Sequence, residues 1–191
     1  MTDRLSDNLD PGSQNGIRGR FLFRPRIVLI VAILFCCTIA AAVAVQGLRF
    51  RSACRQIEAL GGGVDVVETM PVPGLKLIGV GQIHVDLLGV NCSGEDISLL
   101  ARSLRNLGPI YLIALGGHTS SLDDSTFSSI VSASHVENAF ISYSAITDDG
   151  IGVARHWKGL QALDLQNNSQ ISLNAEKLQA AVPGVKVSVK P

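Results

Sequence analysis

Aromatic residues are scarce in this chain: 5% of 191 residues, with one Trp, two Tyr and six Phe. A core built from it is therefore mostly aliphatic. Cysteine is also scarce. The four present, Cys36, Cys37, Cys54 and Cys92, include no C-x-x-C pair, so neither a zinc ribbon nor a thioredoxin-like redox motif is supported. Charge of one sign is missing, because 16 basic and 16 acidic residues cancel. A nucleic-acid partner would favour a basic face, and none is expected. Gly61-Gly62-Gly63 lacks the Lys-Ser/Thr of a phosphate-binding loop and the spacing of a dinucleotide fingerprint. H-E-x-x-H and G-x-S-x-G are absent as well. No cofactor, metal or small-molecule substrate is implied, and no catalytic constellation is found. The expectation is a protein that is not an enzyme, with a hydrolase as the weakest alternative.

What the chain does contain is one long run without charge, Ile27 to Val45. Nineteen residues at 1.5 Å each span roughly 28 Å, close to a bilayer's hydrocarbon thickness. The run is apolar on every face and Arg-flanked at both ends, unlike a core helix. Residues 1–26 read as a disordered basic tail, 27–47 as a transmembrane helix, 48–81 as a connector and N-terminal cap, and 82–191 as the folded domain. Arg18, Arg20, Arg24 and Arg26 precede the run; Arg49, Arg51 and Arg55 follow it. That bias, with the short tail, points to a cytoplasmic N-terminus and an exported C-terminal domain on the periplasmic or extracellular side. A cleaved signal peptide competes, since Ala42-Val43-Ala44 resembles a cleavage site. The apolar run exceeds the usual 7–15 residues of such peptides, which favours an uncleaved, single-pass anchor. Whether Cys54 and Cys92 pair is open.

Beyond the anchor, Phe50, Ala53, Cys54, Ile57 and Leu60 recur at helical spacing. The glycine triplet stops that helix. Val64–Val67 is a candidate strand. Five segments then follow with central strand residues Val85, Ile113, Ala139, Leu163 and Val187, spaced 28, 26, 24 and 24 apart. In each, alternate residues such as Val85 and Leu87 point inward. A short acidic or hydroxylic cluster comes next in the earlier segments: Ser93 and Glu95, Asp123 and Asp124, Thr147 and Asp148. These oxygens are expected to cap the helix that follows. Alternation of strand and helix predicts a parallel sheet with right-handed crossovers.

Leu160-Gln161-Ala162-Leu163-Asp164-Leu165-Gln166-Asn167-Asn168 fits L-x-x-L-x-L-x-x-N, and Ile146-Thr147-Asp148-Asp149-Gly150-Ile151 fits (I/V)-T-D-x-G-(L/I). On these residues the stretch from 82 to 189 resembles leucine-rich repeat proteins, in particular short bacterial membrane-anchored ones. The segment 116–121 is inserted relative to that pattern, and Asn168 alone holds the ladder asparagine position. The resemblance implies an α/β fold, a short leucine-rich repeat solenoid of parallel strands plus helices, and binding through the concave strand face.

The binding residues so implied are His84, Asp86, Leu112, Phe140, Ser142, Asp164 and Gln166, all on outward strand positions. Leu112 and Phe140, with Leu88, would form an apolar strip, unless the connector or the membrane-proximal helix covers them. The partner implied is another protein, at the cell envelope; the alternative is a structural envelope protein without a discrete ligand. His84, His118, His135 and His156 are scattered without metal-ligand spacing. His118, Ser120, Ser121 and Asp123 share one loop, a poor origin for triad geometry. Trp157 falls in a three-residue apolar series with Ile151 and Ala154 and is expected in the core.

Overall fold

The computed structural model describes residues 25–67, 81–90, 94–117 and 122–190. The chain divides into two compact units, one ending at Thr38 and one from Ile39 onward. In the first, α1 (Pro25–Ala59) begins, and its side chains from Ile27 to Thr38 are exposed. The Thr38 hydroxyl donates to the Phe35 carbonyl at 2.7 Å, so this hydroxyl is satisfied within the helix itself. The helix is long and apolar enough to cross a membrane. It continues without a break past residue 47, where the connector was expected to start.

The second unit is an α/β fold around a six-stranded, mostly parallel sheet. Its strands are β1 (Gly63–Val67), β2 (Gln82–Leu88), β3 (Pro109–Gly116), β4 (His135–Ser142), β5 (Ala162–Gln166) and β6 (Lys186–Lys190), in that spatial order. β1 pairs antiparallel with β2, and every later pair is parallel. Helices α2 (Gly94–Leu107), α3 (Asp124–Ala133), α4 (Asp148–Gly152) and α5 (Ala175–Ala181) lie in the connections. Val85, Ile113, Ala139, Leu163 and Val187 form one row, each paired with the next. The predicted central residues are therefore in register.

That register follows from burial. Val85, Leu87, Ile113, Leu115, Ala139, Ile141, Leu163 and Leu165 are all buried, and a one-residue slip would turn each outward. Ile110, Val136 and Leu160 sit three residues before a central residue and are buried too. Strict alternation would turn them outward, so the pleat must break. It does so at Tyr111 and Glu137, which are skipped in the β3–β4 pairing. The L-x-x-L spacing thus encodes a strand with a bent start.

Helix starts follow the expected chemistry in part. Asp123 caps α3 by accepting from the Thr126 N–H at 2.8 Å, and Asn174 caps α5 through the Lys177 N–H at 3.1 Å. Thr147 caps α4 more loosely, at 3.4 Å from the Gly150 nitrogen. Asp124 and Asp148 do not cap their own helices. The Asp124 carboxylate crosses to the next connection and accepts from the Thr147 N–H at 2.8 Å and the Thr147 hydroxyl at 2.7 Å. Asp148 repeats this one connection later, accepting from the Ser172 hydroxyl at 2.6 Å and from the Ser172 and Leu173 N–H groups, each at 3.1 Å. Gly150 explains itself here: a Cβ on it would lie 1.9 Å from the Asp124 Oδ1.

The apolar series Ile151, Ala154 and Trp157 would lie on one helix if α4 ran through it. Instead α4 stops at Gly152, and Val153–His156 form a 3₁₀ turn. A three-residue apolar period matches three residues per turn, so the pattern itself was 3₁₀-like. Trp157 is core: it is 4% exposed, stands edge-on to Phe127, and donates from its indole to the Ser134 hydroxyl at 2.9 Å. Cys54 is a free thiol, while Cys92 lies outside the described residues.

Candidate functional site

The inward row of β2 to β5 is buried, so the alternate row makes the second face of the sheet. By register one line across it is His84, Leu112, Asn138, Ala162 and Lys186. The adjacent line is Asp86, Ala114, Phe140, Asp164 and Ser188. A groove of ≈ 540 Å³ runs over β3 to β6, lined by Leu112, Asn138, Phe140, Ala162, Asp164 and Lys186 among others. Leu112 and Phe140 are half-buried there. Of the outward residues singled out from the sequence, Leu112, Phe140 and Asp164 line this groove. His84 and Asp86 share the face but lie outside the groove, on β2. Gln166 lies at the strand ends, beside Lys190.

Ser142 is a correction. It occupies an outward register position but is only 4% exposed. Its partner in the sheet is Gly116, and a Cβ on Gly116 would sit 1.7 Å from the Ser142 carbonyl oxygen. The backbones meet there too closely for an open surface, so Ser142 is part of the fold rather than of a binding face.

Three contacts here were not visible in the sequence. The His84 ring stacks on Tyr111, with centroids 5.5 Å apart and planes 20° apart. Lys190 Nζ lies 3.1 Å from the Asp164 carboxylate, so that charge is already half-answered. Asn138 also donates from its amide to the Tyr111 carbonyl at 3.0 Å, in the stretch where the β3–β4 ladder skips a pair. No period-two or helical pattern marks any of these, because each joins residues 26 or 27 apart that only register brings together.

Two buried side-chain atoms remain without a hydrogen-bond partner among the described residues: His84 Nε2 and Asp164 Oδ1. Both are on this face. An unmet buried polar atom costs about 1–3 kcal/mol, so such atoms are few in a native fold and call for an explanation.

The two proposed covers of the face fare differently. The C-terminal part of α1 packs into the core through Phe50, Ala53 and Ile57, and Gln56 accepts from the Ser103 hydroxyl of α2 at 2.7 Å. It therefore lies on the helical side of the sheet. The connector from 68 to 80 lies outside the described residues, as do His118 to Ser121 of the loop before Asp123. Asp123 of that loop is held below the usual carboxylate range, first by the Thr126 N–H, as a capping residue would be. Asp148 is likewise held low, first by the Ser172 hydroxyl. Both carboxylates are thus kept charged by structural hydrogen bonds. His135 packs over Gly159, and His156 accepts from Arg155 Nε at 3.1 Å. Among the described residues no group of three or more His, Cys, Asp or Glu could hold a metal ion.

Neither models of known protein families nor the curated proteins match this chain.

Proposed function

We propose that the chain is a single-pass membrane protein whose second unit is a short leucine-rich repeat stack, and that its exposed sheet face binds another protein without catalysing a reaction. The domain acts on the exported side of the membrane. The observation that carries this reading is the groove over β3 to β6, where half-buried Leu112 and Phe140 stand beside Asn138, Asp164 and Lys186. Half-buried apolar side chains ringed by polar ones are what a protein interface presents to its partner. The register of Val85, Ile113, Ala139, Leu163 and Val187 supports the repeat part, since it coincides with their spacing in the chain.

The test is in-cell photo-crosslinking from a probe at Ala162, comparing the unaltered chain with Leu112→Asp and Phe140→Asp. A discrete crosslinked band that disappears in both variants, while each stays folded, is expected. A band unchanged in both variants excludes the face.

A further inference from the structure

Charges in the sheet-bearing unit are sorted by helix end. Acids occupy the first turns, among them Glu95, Asp96, Asp149 and Glu176. Bases occupy the last turns: Arg105 of α2, and Arg155 and His156 of the 3₁₀ turn. Each choice suits the helix macrodipole. The helices return between parallel strands, so the acids gather where strands end and the bases where strands begin.

At the strand-start end lies a groove of ≈ 510 Å³ that shares no lining residue with the groove over β3 to β6. Three separate segments build it: the end of α2 with the start of β3, the end of α3 with the start of β4, and the end of the 3₁₀ turn with Lys158. Its base is apolar, since Leu104 and Val131 are buried there and Pro109 is exposed. Arg105, His135, His156 and Lys158 also line it, all four exposed, and no carboxylate does.

Helix dipoles explain Arg105 and His156. They do not explain Lys158 or His135, which lie outside any helix. A parallel bridge pairs His135 with Lys158. The His135 ring then lies against Gly159, where a Cβ would come within 2.2 Å of the ring Nε2. Gly159 therefore does two things: it takes a φ of +82° and leaves room for the imidazole next to Lys158. Neither Arg105 nor Lys158 has an ion-pair partner among the described residues. Unpaired cations crowded at one end repel each other, and an anionic occupant offsets that repulsion.

An inorganic anion would answer the charges but leave the apolar base in water. A purely apolar segment would do the reverse. We propose that this groove docks an acidic segment of a partner protein. Its carboxylates lie on Arg105 and Lys158, and an apolar side chain between them covers Leu104, Val131 and Pro109.

The probe is a fluorescently labelled peptide, acetyl-Glu-Glu-Leu-Glu-Glu-amide, and binding to the full chain in neutral detergent at low salt is read by anisotropy. Arg105→Ala and Lys158→Ala should each weaken it about three- to five-fold, the upper range for an exposed ion pair. Lys177→Ala, exposed on α5 at the acidic end, should leave it unchanged. A peptide with Gln in place of every Glu should bind about ten-fold more weakly, as two such pairs are lost. One with Gly in place of Leu should also lose about ten-fold, the low end for taking a leucine side chain out of water. Equal losses from Lys158→Ala and Lys177→Ala mean diffuse attraction to the whole surface and overturn the groove. Undiminished binding of the Gln peptide overturns the acidic occupant. Undiminished binding of the Gly peptide, or full displacement by inorganic phosphate matched in charge, makes the groove a site for free anions and overturns the docked segment. Absence of binding by the acidic peptide overturns the assignment outright.

Discussion

Replacing Gly150 by Ala should destabilise the protein only because Asp124 is there. A glycine inside an α-helix, with no need for positive φ, is ordinarily improved by Ala by about 0.5–1 kcal/mol. Here the added Cβ would lie 1.9 Å from the Asp124 Oδ1 and 2.5 Å from its Cγ. Asp124 has to withdraw, giving up its bonds to the Thr147 N–H and hydroxyl. Hydrogen bonds to a charged group contribute about 1.5–3 kcal/mol each, and the lower figure applies to this partly buried pair. Losing both and recovering the helix propensity leaves a net cost of about 2 kcal/mol. In an Asp124→Ala background the obstacle is gone. There Gly150→Ala should be near neutral, with only the Ile146 Cγ2 contact at 2.9 Å left to absorb. The coupling between the two substitutions is thus about 2 kcal/mol, well beyond the roughly 0.3–0.5 kcal/mol scatter of independent sites. Urea unfolding of the detergent-solubilised chain can be followed by the fluorescence of Trp157, the single tryptophan, which is buried near this turn. Additive effects, or a Gly150→Ala variant more stable than its parent, would refute the steric account.

Two further outcomes follow from the same geometry. Gly116→Ala should be far more damaging than Gly150→Ala, because the new Cβ meets the Ser142 carbonyl rather than a movable side chain, at a φ of +140°. Loss of the folded protein on expression is expected, and a normal unfolding curve for this variant would contradict the β3–β4 backbone approach. Asp123 and Asp148 both have lowered folded pKa values. Their contribution is complete above the unfolded carboxylate value of about 3.9 and is lost as pH falls through the folded values. Stability should therefore drop below about pH 4, and an Asp123→Asn/Asp148→Asn variant should drop less over the same range. Parallel pH profiles from chemical unfolding would contradict this assignment.

Much of the architecture is written locally. The spacing of Val85, Ile113, Ala139, Leu163 and Val187 anticipates their pairing, because alternate residues of a strand must all bury or all surface. Trp157 belongs to the core by its place in an apolar series. Asp123 and Thr147 read as caps because an N-cap needs only its own next turn. The length of the apolar run needs no neighbour either.

The rest required the fold. Asp148 and Asp124 look identical to capping acids in sequence, yet they bond across 23 to 25 residues, where no local rule reaches. Ser142 follows the outward alternation but is closed off by the backbone of the neighbouring strand at Gly116. His84 on Tyr111 and Lys190 beside Asp164 are likewise assembled only when segments stack. Periodicity is a property of one strand or helix and determines which side chains turn inward. Which outward side chains meet one another depends on distances between segments, and those exist only in the folded chain.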